Sequence, residues 1–394
     1  MFKNGQVLIQ KFGGSSMGSV ERIKNAAVRI AEKAKRGYPM VVVVSAMGDT
    51  TDELIELVHK ISTFPTRREM DHVIATGEMV SASLMATALS ELGIKARSFN
   101  AFNLQLFSEI SENEYYITRV GLLKKLENFL QPGSVAVVAG FQGITDDGDL
   151  TTLGRGGSDL TAVVMARELN QKVCEKYTDE DGVYTADPRI IPTAGKVWHL
   201  TYDEMLTLAR FGNGILHPRA ISSAKESDIR IHVRSSFSNV EGSVVGPDGD
   251  DSVPIKSITC SNKFIFIRIM CINSKKIIDF MNKNKLPFKI ILCETKDNCV
   301  IWGLDRTEAF EAITYCLELS EDWEVENMQY FTELTTITMV GCGLFSDNAL
   351  VNKYFKIAAD YDSIIAEHSG IRFSIAVNKE NVPDALSCLH NSIL

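Results

Sequence analysis

The sequence MVVVVSAM, residues 40–47, contains four consecutive valines without polar alternation. A strand with one face in water alternates apolar and polar residues, whereas an uninterrupted β-branched run is typical of a strand buried on both faces. The runs VLIQKF (7–12) and VAVVAGF (135–141) are similar. Helical patterns cover residues 20–35, 51–61 and 160–170. The sequence therefore predicts an α/β fold with a parallel sheet between two layers of helices.

The bulk properties indicate a soluble globular protein with more than one domain. The chain has 394 residues, which exceeds one ordinary hydrophobic core, so two or three domains are expected. A net charge of −9 argues against nucleic acid or an anionic membrane surface as the main partner. No apolar run reaches about 18 residues, so no membrane span is predicted.

Cysteine usage suggests the compartment. The chain has eight cysteines without a CxxC pair, and most of them lie in apolar, strand-like or helix-like segments. We favour buried reduced thiols over disulfides or metal ligands, and disulfide-free proteins are typical of reducing compartments. Lys3 and Asn4 are followed directly by a strand and a glycine loop, which is not a signal-peptide pattern. A cytoplasmic protein is expected.

The sequence pattern changes after residue 240. Gly, Pro and Asp crowd residues 242–254, which predicts that residues 241–256 form a linker or exposed hairpin between domains 1–240 and 257–394. Beyond it, the order strand, helix, strand, strand, helix occurs twice, and the helices of the first set are predicted at 274–284 and 307–319. This internal repeat predicts two α+β modules in series.

Four loops in the first domain are rich in small and polar residues and follow predicted strands: KFGGSS (11–16), SAMGDTTDE (45–53), GFQG (140–143) and TLGRGGSD (152–159). Glycine lets backbone N–H groups approach a phosphate, although a single such loop is more often only a tight turn. In the Walker pattern a lysine follows the glycines, whereas here Lys11 precedes Gly13 and Gly14. Four such loops favour a phosphate site.

Three charged side chains and one segment are further candidates. Arg155, flanked by glycines, suits bidentate capture of a carboxylate or phosphate, with a surface salt bridge as the alternative. Asp159 could cap the following helix, or position a substrate amine or Mg²⁺. Glu78 is by default an ordinary first-turn glutamate. The segment YTDEDGVYTADPR (177–189) could hold a nucleotide or be an ordinary loop.

Seven motifs occur in a characteristic order: KFGGSS, VVVVSAMGDTTDEL, ATGE, VVAGFQG, TLGRGGSD, YTDEDGVYTADPR and HVRSSFS. Across residues 5–240 they resemble the aspartate kinase family of the amino acid kinase superfamily. The resemblance implies a three-layer α/β/α sandwich with a mainly parallel sheet. The two C-terminal modules resemble paired ACT domains (βαββαβ), which implies a homodimer formed through them.

The resemblance also implies an activity, namely ATP-dependent phosphorylation of the β-carboxylate of L-aspartate with Mg²⁺. The product is 4-phospho-L-aspartate, the entry to lysine, threonine and methionine synthesis. By resemblance, the catalytic residues are Lys11, Arg155 and Asp159. No residue is predicted as a protein ligand of a metal.

Two groups of binding residues follow from the same resemblance. Those that would bind aspartate are Ser45, Thr51, Glu78 (the substrate ammonium), Arg155 (the α-carboxylate), Ser158 and Asp159. Those that would hold ATP are Lys11 (the transferring phosphate), Gly13, Gly14, Ser15, Thr178, Asp179, Tyr184 and Arg189.

The chain departs from the family pattern at several positions. Gly214 stands where the family usually has a phosphate-binding lysine, and Lys176 stands where the family more often has an apolar residue. Lys176 is therefore either a replacement cation or a solvated lysine at a strand end. The segments INSKK (272–276) and CGLFSDNAL (342–350) replace the family's effector-binding turns, so the effector stays open. Alternatives to aspartate phosphorylation are another small amino acid or carboxylate acceptor, or a degenerate sensor without catalysis.

Overall fold

The computed structural model describes residues 6–111, 114–249, 255–271, 288–294, 299–306, 313–314, 325–344 and 348–392. The chain divides into two compact units. The first unit comprises residues 1–183, 196–209 and 214–250, and the second comprises residues 184–195, 210–213 and 251–394.

The elements up to residue 250 alternate as the sequence predicts. The strands are β1 (Leu8–Phe12), β2 (Met40–Val44), β3 (Ala96–Phe99), β4 (Leu106–Ser111), β5 (Glu114–Val120), β6 (Val135–Ala139), β7 (Gln142–Ile144), β8 (Leu150–Thr152), β9 (Val173–Thr178), β10 (Val183–Tyr184), β11 (Lys196–Val197), β12 (His199–Thr201), β13 (Arg230–Ser235) and β14 (Ser243–Gly246). The helices are α1 (Gly14–Met17), α2 (Val20–Lys35), α3 (Thr50–Ile61), α4 (Arg67–Ile74), α5 (Thr76–Glu91), α6 (Ala101–Leu104), α7 (Leu123–Phe129), α8 (Gly157–Glu168), α9 (Tyr202–Phe211) and α10 (Pro218–Glu226).

The centre of the first unit is an eight-stranded sheet with the order β12-β14-β13-β9-β1-β2-β6-β3. Its neighbouring strands run parallel except for the pair β13 and β14, which is antiparallel. All five residues of β2 are buried, because β1 and β6 flank it and helices cover both of its faces. The prediction of a mainly parallel sheet is confirmed, and the valine run occupies a central strand.

Helices cover both faces of this sheet. On one face, Ala27 and Ile30 of α2 and Met85 of α5 share a core cluster with Val42 and Val44 of β2. On the other face, α8 packs against β1, β2 and β9. These are the three layers of the predicted sandwich. The first unit also contains a second, four-stranded sheet with the order β5-β4-β7-β8, and β10 pairs with β11 in a small two-stranded sheet.

One helical stretch, residues 67–91, is long and apolar enough to cross a membrane by length and composition alone, and half of its most apolar window is buried. The stretch contains α4 and α5. Ala82, Met85 and Leu89 of α5 pack in the core cluster beneath the sheet. The burial of this side explains the apolar composition as that of a core helix, so the stretch gives no reason to revise the prediction of no membrane partner.

The stretch 241–256, which the sequence predicts as a linker or exposed hairpin, contains a strand of the large sheet. Strand β14 (Ser243–Gly246) lies inside it and pairs with both β12 and β13 of the large sheet. The Gly, Pro and Asp residues that suggested a linker surround a strand of only four residues, which explains why the composition hid the strand. The first unit accordingly continues to residue 250.

The second unit contains two four-stranded sheets. Its strands are β15 (Ser257–Ser261), β16 (Phe264–Cys271), β17 (Phe288–Glu294), β18 (Cys299–Asp305), β19 (Val325–Phe331), β20 (Leu334–Val340), β21 (Ile365–Ser369) and β22 (Arg372–Asn378), and its described helices are α11 (Asn348–Asp360) and α12 (Val382–Asn391). The sheet orders are β15-β20-β22-β21 and β17-β18-β16-β19. The helices predicted at 274–284 and 307–319 fall largely outside the described residues.

The modules are not simply in series, which corrects the sequence prediction. β15 precedes the first module in the chain but pairs antiparallel with β20, so it belongs to the sheet of the second module. The chain then completes the other sheet, from β16 to β19, before it returns to β20. One module is therefore inserted into the other.

Candidate active site

Backbone hydrogen bonds join the glycine loops that follow β1 and β2 to the carboxyl ends of the neighbouring strands, β9 and β1 respectively. The N–H of Gly13 donates to the carbonyl of Tyr177 at 3.1 Å, and the N–H of Ser45 donates to the carbonyl of Phe12 at 3.1 Å. A Cβ at Gly14 would lie 3.3 Å from the carbonyl oxygen of Ala46, so the chains approach closely there. The carboxyl ends of the three strands thus form one edge, where open α/β sheets place ligands.

Two buried lysines converge on one aspartate at this edge. Lys11 of β1 and Lys176 of β9 are register partners on adjacent parallel strands. The Nζ of Lys11 lies 2.7 Å from Oδ1 of Asp159, and the Nζ of Lys176 lies 2.5 Å from Oδ2. Lys176 also donates to the carbonyl of Ile215 at 2.5 Å. We call Lys11, Asp159 and Lys176 the lysine cluster.

The lysine cluster excludes one of the alternatives that the sequence left open for Asp159 and one of those for Lys176. The Asp159 side chain does not cap α8, and its carboxylate bridges the two lysines instead. Lys176 is not a solvated lysine at a strand end, because only 8% of its surface is exposed. It faces the same site as Lys11.

Electrostatics at the lysine cluster favour a charged aspartate. Burial alone would raise the pKa of the Asp159 carboxyl, but the ammonium groups of Lys11 and Lys176 lower it to about 2. Burial lowers the pKa of Lys176, and the nearby Asp159 opposes that shift. With both lysines charged, the cluster carries a net charge of +1. This charge stands at the first turn of α8, where the helix dipole also attracts anions.

Glu78 is buried rather than an ordinary surface glutamate. Its Oε1 accepts the N–H of Ala46 at 3.0 Å, while Oε2 has no hydrogen-bond partner among the described residues. Burial is the main reason that its pKa rises to about 7. Ser45 precedes Ala46 directly, and half-buried Thr51 lies in the first turn of α3. The free oxygen suits an ammonium group.

Arg155 lies in an exposed loop just before α8. The flanking Gly154 and Gly156 both have a φ of +72°, and within the described chain Arg155 shows no ion pair or hydrogen bond. The surface salt bridge that the sequence left open is thus not seen there. Ser158 is buried in the first turn of α8 and packs closely against Gly140.

Arg219 supports this loop, a role that the sequence analysis missed. Its guanidinium donates to the carbonyls of Leu153 and Tyr115 and pairs with Glu114, and it lies 4.1 Å from the ring centroid of Tyr116. The loop that carries Arg155 is thereby tied to the β4–β5 hairpin. Nothing in the local sequence HPR marks this role, because its partners lie far away in the chain.

Gly156 is expected to tolerate no side chain. Replacement by alanine imposes a left-handed backbone on a residue with a Cβ, and that Cβ would overlap the side chain of His217. Together these effects should lower the unfolding free energy by about 2–5 kcal/mol. The matched control is Gly148→Ala, where φ is +87° but no atom lies within 4 Å, so only about 1–2 kcal/mol should be lost. Equal losses in thermal or urea unfolding would contradict the overlap.

The predicted nucleotide residues are divided by the fold. Thr178 ends β9 at the same edge as Lys11, and its hydroxyl donates to exposed Asp179 at 2.9 Å. Half-buried Tyr184 and exposed Arg189 belong to the second unit, where Arg189 pairs with Asp187 at 2.7 Å. Their role in holding ATP stays a prediction. Ser15 lies half-buried in α1, directly after Gly14.

Two further observations delimit the site. A cavity of about 470 Å³ lies at the amino-terminal ends of β1 and β9, lined by residues 6–9, 170–173 and 175. It is at the opposite edge of the sheet from the lysine cluster, so we do not assign the chemistry to it. Among the described residues, no group of three or more His, Cys, Asp or Glu side chains is placed to hold a metal ion.

Comparisons with known proteins agree with this geometry. The amino acid kinase family model matches residues 6–235, and the chain belongs to that family. The aspartokinase of Geobacillus stearothermophilus is 34% identical over 98% of this chain and 97% of its own length, and aspartokinase 2 of Bacillus subtilis is 35% identical over the same shares. Within the amino acid kinases, the chain is therefore a member of the aspartokinases.

Solved structures show the same fold. Aspartokinase III of E. coli, solved with aspartate and ADP, matches with a TM-score of 0.80 at 20% identity, covering 98% of this chain and 99% of that one. Aspartate kinase from Synechocystis is 31% identical with a TM-score of 0.55, and the match covers 98% of this chain and 69% of that one.

Proposed function

We propose that this chain transfers the γ-phosphoryl group of ATP to the β-carboxylate of L-aspartate, which yields 4-phospho-L-aspartate and ADP. Membership of the aspartokinases supports the reaction, and the observation that carries it is the buried lysine cluster with its net positive charge. An E. coli relative of the same fold was solved with aspartate and ADP.

The reaction needs positioning and charge neutralisation more than covalent help. A carboxylate oxygen of aspartate forms a bond to the γ-phosphorus, the bond from that phosphorus to the β–γ bridging oxygen breaks, and ADP keeps the electron pair. The nucleophile is already ionised, so no general base is required. Because two anions must approach each other, a preorganised cation such as Lys11 provides the main stabilisation.

The aspartate would be held by its amino and α-carboxyl groups. Glu78 presents the unpaired Oε2 that an ammonium group would satisfy. The exposed guanidinium of Arg155 would clamp the α-carboxylate. Ser45 and Thr51, with Ser158 at the first turn of α8, would line the pocket. Asp159 would act by holding the two lysines, since both of its oxygens already face them.

Mg²⁺ would enter with ATP as part of the substrate. The described residues offer no cluster of ligands for a resident ion, so the triphosphate oxygens are its expected ligands. Among the described side chains, the cysteines at 174, 260, 299, 342 and 388 form no disulfide, which supports a cytoplasmic setting. A homodimer through the ACT-like sheets would pair their exposed edges, and the effector stays open.

Hydroxylamine trapping tests the proposed function, because it converts an acyl phosphate into a hydroxamate. We expect hydroxamate from L-aspartate that depends on ATP and is lost when a chelator removes Mg²⁺. D-Aspartate is the control acceptor. Because of its opposite chirality, it cannot place both its ammonium and its α-carboxylate in their binding positions at once. If hydroxamate forms from another small amino acid but not from aspartate, the acceptor is that amino acid and the assignment of aspartate is wrong. No hydroxamate from any acceptor, with ATP still bound, would indicate a sensor.

A further inference from the structure

Lys11 and Lys176 form an unusual row across the sheet. In register with them on the flanking strands are Val43 of β2 and Val233 of β13, so the row reads valine, lysine, lysine, valine. Two like charges directly side by side repel each other, and neutralising Asp159 requires only one of them. With both lysines charged, the cluster therefore carries one positive charge more than its single carboxylate neutralises, and burial makes this excess charge costly.

We propose that Lys176 is a second phosphate-binding cation, which contacts the transferring phosphoryl group of ATP together with Lys11. The inference rests on the proposed function and adds a residue to it. A bound triphosphate provides the anion that the surplus charge lacks. In this phosphoryl transfer, Lys176 moves no proton, and its ammonium offsets the negative charge on the γ-phosphoryl oxygens as the bridging bond breaks.

The hydrogen bond from Lys176 to the carbonyl of Ile215 supports this role. It holds the ammonium beside the segment that contains Gly214, the position where the aspartate kinase resemblance leads one to expect a phosphate lysine. A Cβ at Gly214 would meet no atom within 4 Å, so that position is open and carries no charge of its own. A cation supplied by β9 thus reaches the backbone next to the residue that lacks one.

Lys176→Met removes the charge and keeps most of the side-chain volume, which lowers the net charge of the cluster from +1 to zero. The measurements are kcat and the calorimetric Kd for two probes with Mg²⁺, the non-hydrolysable triphosphate AMP-PNP and ADP. We expect kcat to fall about 100-fold or more. AMP-PNP should bind about tenfold more weakly, while ADP binding stays within about threefold of wild type.

The selective loss of triphosphate binding separates this role from a structural one. A lysine that only neutralised Asp159 would affect AMP-PNP and ADP alike, or neither, and either result would overturn the proposal. The matched control is Lys172→Met, because Lys172 directly precedes β9, is exposed and pairs only with Asp228 at 3.1 Å among the described residues. If Lys176→Met does not fold, Lys176→Gln is judged by the same criteria.

Gly214→Lys provides a second test. In wild type it should change kcat less than about twofold, because a cation already occupies the region, and a gain of about tenfold would overturn the proposal. In the Lys176→Met background, Gly214→Lys should restore AMP-PNP binding and leave ADP binding unchanged. The nucleotide probes need no acceptor, so they test Lys176 separately. Absence of hydroxamate from wild type would instead contradict the proposed function.

Discussion

Replacing Lys11 with alanine should reduce the phosphorylation of aspartate at least about a thousandfold, which is the upper range for loss of one preorganised charge-stabilising group. Only 7% of the Lys11 surface is exposed, and its Nζ lies 2.7 Å from Asp159. Without it, Asp159 and Lys176 neutralise each other and the cluster has no net charge left for the phosphoryl group. Water is a poor substitute for this charge, because its dipoles must reorient as the phosphoryl charge develops, whereas the Lys11 ammonium is already in place.

The effect is best measured as hydroxamate formed at saturating aspartate and ATP, because saturation isolates kcat from binding. The control is Lys35→Ala, which removes an exposed lysine from the last turn of α2 and should leave the rate unchanged. Lys11→Ala combined with Lys176→Met should cost much less than the product of the two single effects, because the lysines act as a unit. If Lys11→Ala alone keeps more than a tenth of wild-type turnover, the central role of Lys11 is refuted.

The sheet was predictable because its signal is local. Four consecutive valines at 41–44 can only be accommodated where both faces of a strand are covered, and all four are buried at the centre of the large sheet. The glycine loops were recognisable for a similar reason, because a loop that approaches a phosphate needs glycine within a few residues of a strand end. Fold class and the edge that carries the site both follow from such short-range patterns.

Lys176 could not be assigned from the sequence because its role depends on strand register. Its neighbour Lys11 stands on β1, at the other end of the first unit in sequence, and only the pairing of β1 with β9 brings the two together. The burial of Glu78 was missed for the same kind of reason. A first-turn glutamate looks the same in sequence whether its helix faces water or covers a loop such as that of Ala46.

The insertion of one ACT-like module into the other was also beyond the sequence. The strand SITCS (257–261) has only five residues, and its polar–apolar alternation is compatible with a strand but does not indicate which sheet it joins. Its partner β20 begins more than seventy residues later, and antiparallel pairing between them is a long-range choice that leaves no local trace. Local patterns predict elements, whereas the sheet that an element joins depends on the whole chain.

Glu78→Gln should have two opposite effects, a loss of aspartate binding and a gain in stability. For binding, the neutral amide can accept a hydrogen bond but cannot form an ion pair with the substrate ammonium, and loss of this buried charge pair should raise the KM for aspartate about 30-fold or more. In wild type, kcat/KM for aspartate should fall as the pH drops below about 7, because Glu78 then takes up a proton. The variant should lack that pH dependence.

For stability, the sign follows from the direction of the pKa shift. The pKa of Glu78 is about 7 in the folded chain against 4.5 in the unfolded chain, so the folded state holds the extra proton between these values. The contribution of Glu78 to stability is therefore greatest below pH 4.5, and this contribution is lost as the pH rises towards 7. At pH 8 the buried carboxylate costs up to about 3 kcal/mol, which a glutamine would not incur.

The experiment compares unfolding midpoints of wild type and Glu78→Gln at pH 5 and pH 8 without substrate. We expect near equality at pH 5 and a more stable variant at pH 8. Glu91→Gln changes an exposed glutamate at the end of the same helix, α5, and should shift neither midpoint. A variant that is less stable than wild type at pH 8 would show that the Glu78 carboxylate is already satisfied in the free protein. In that case the proposed ammonium site would lose its physical basis, because an unpaired buried oxygen is what an incoming ammonium group would relieve.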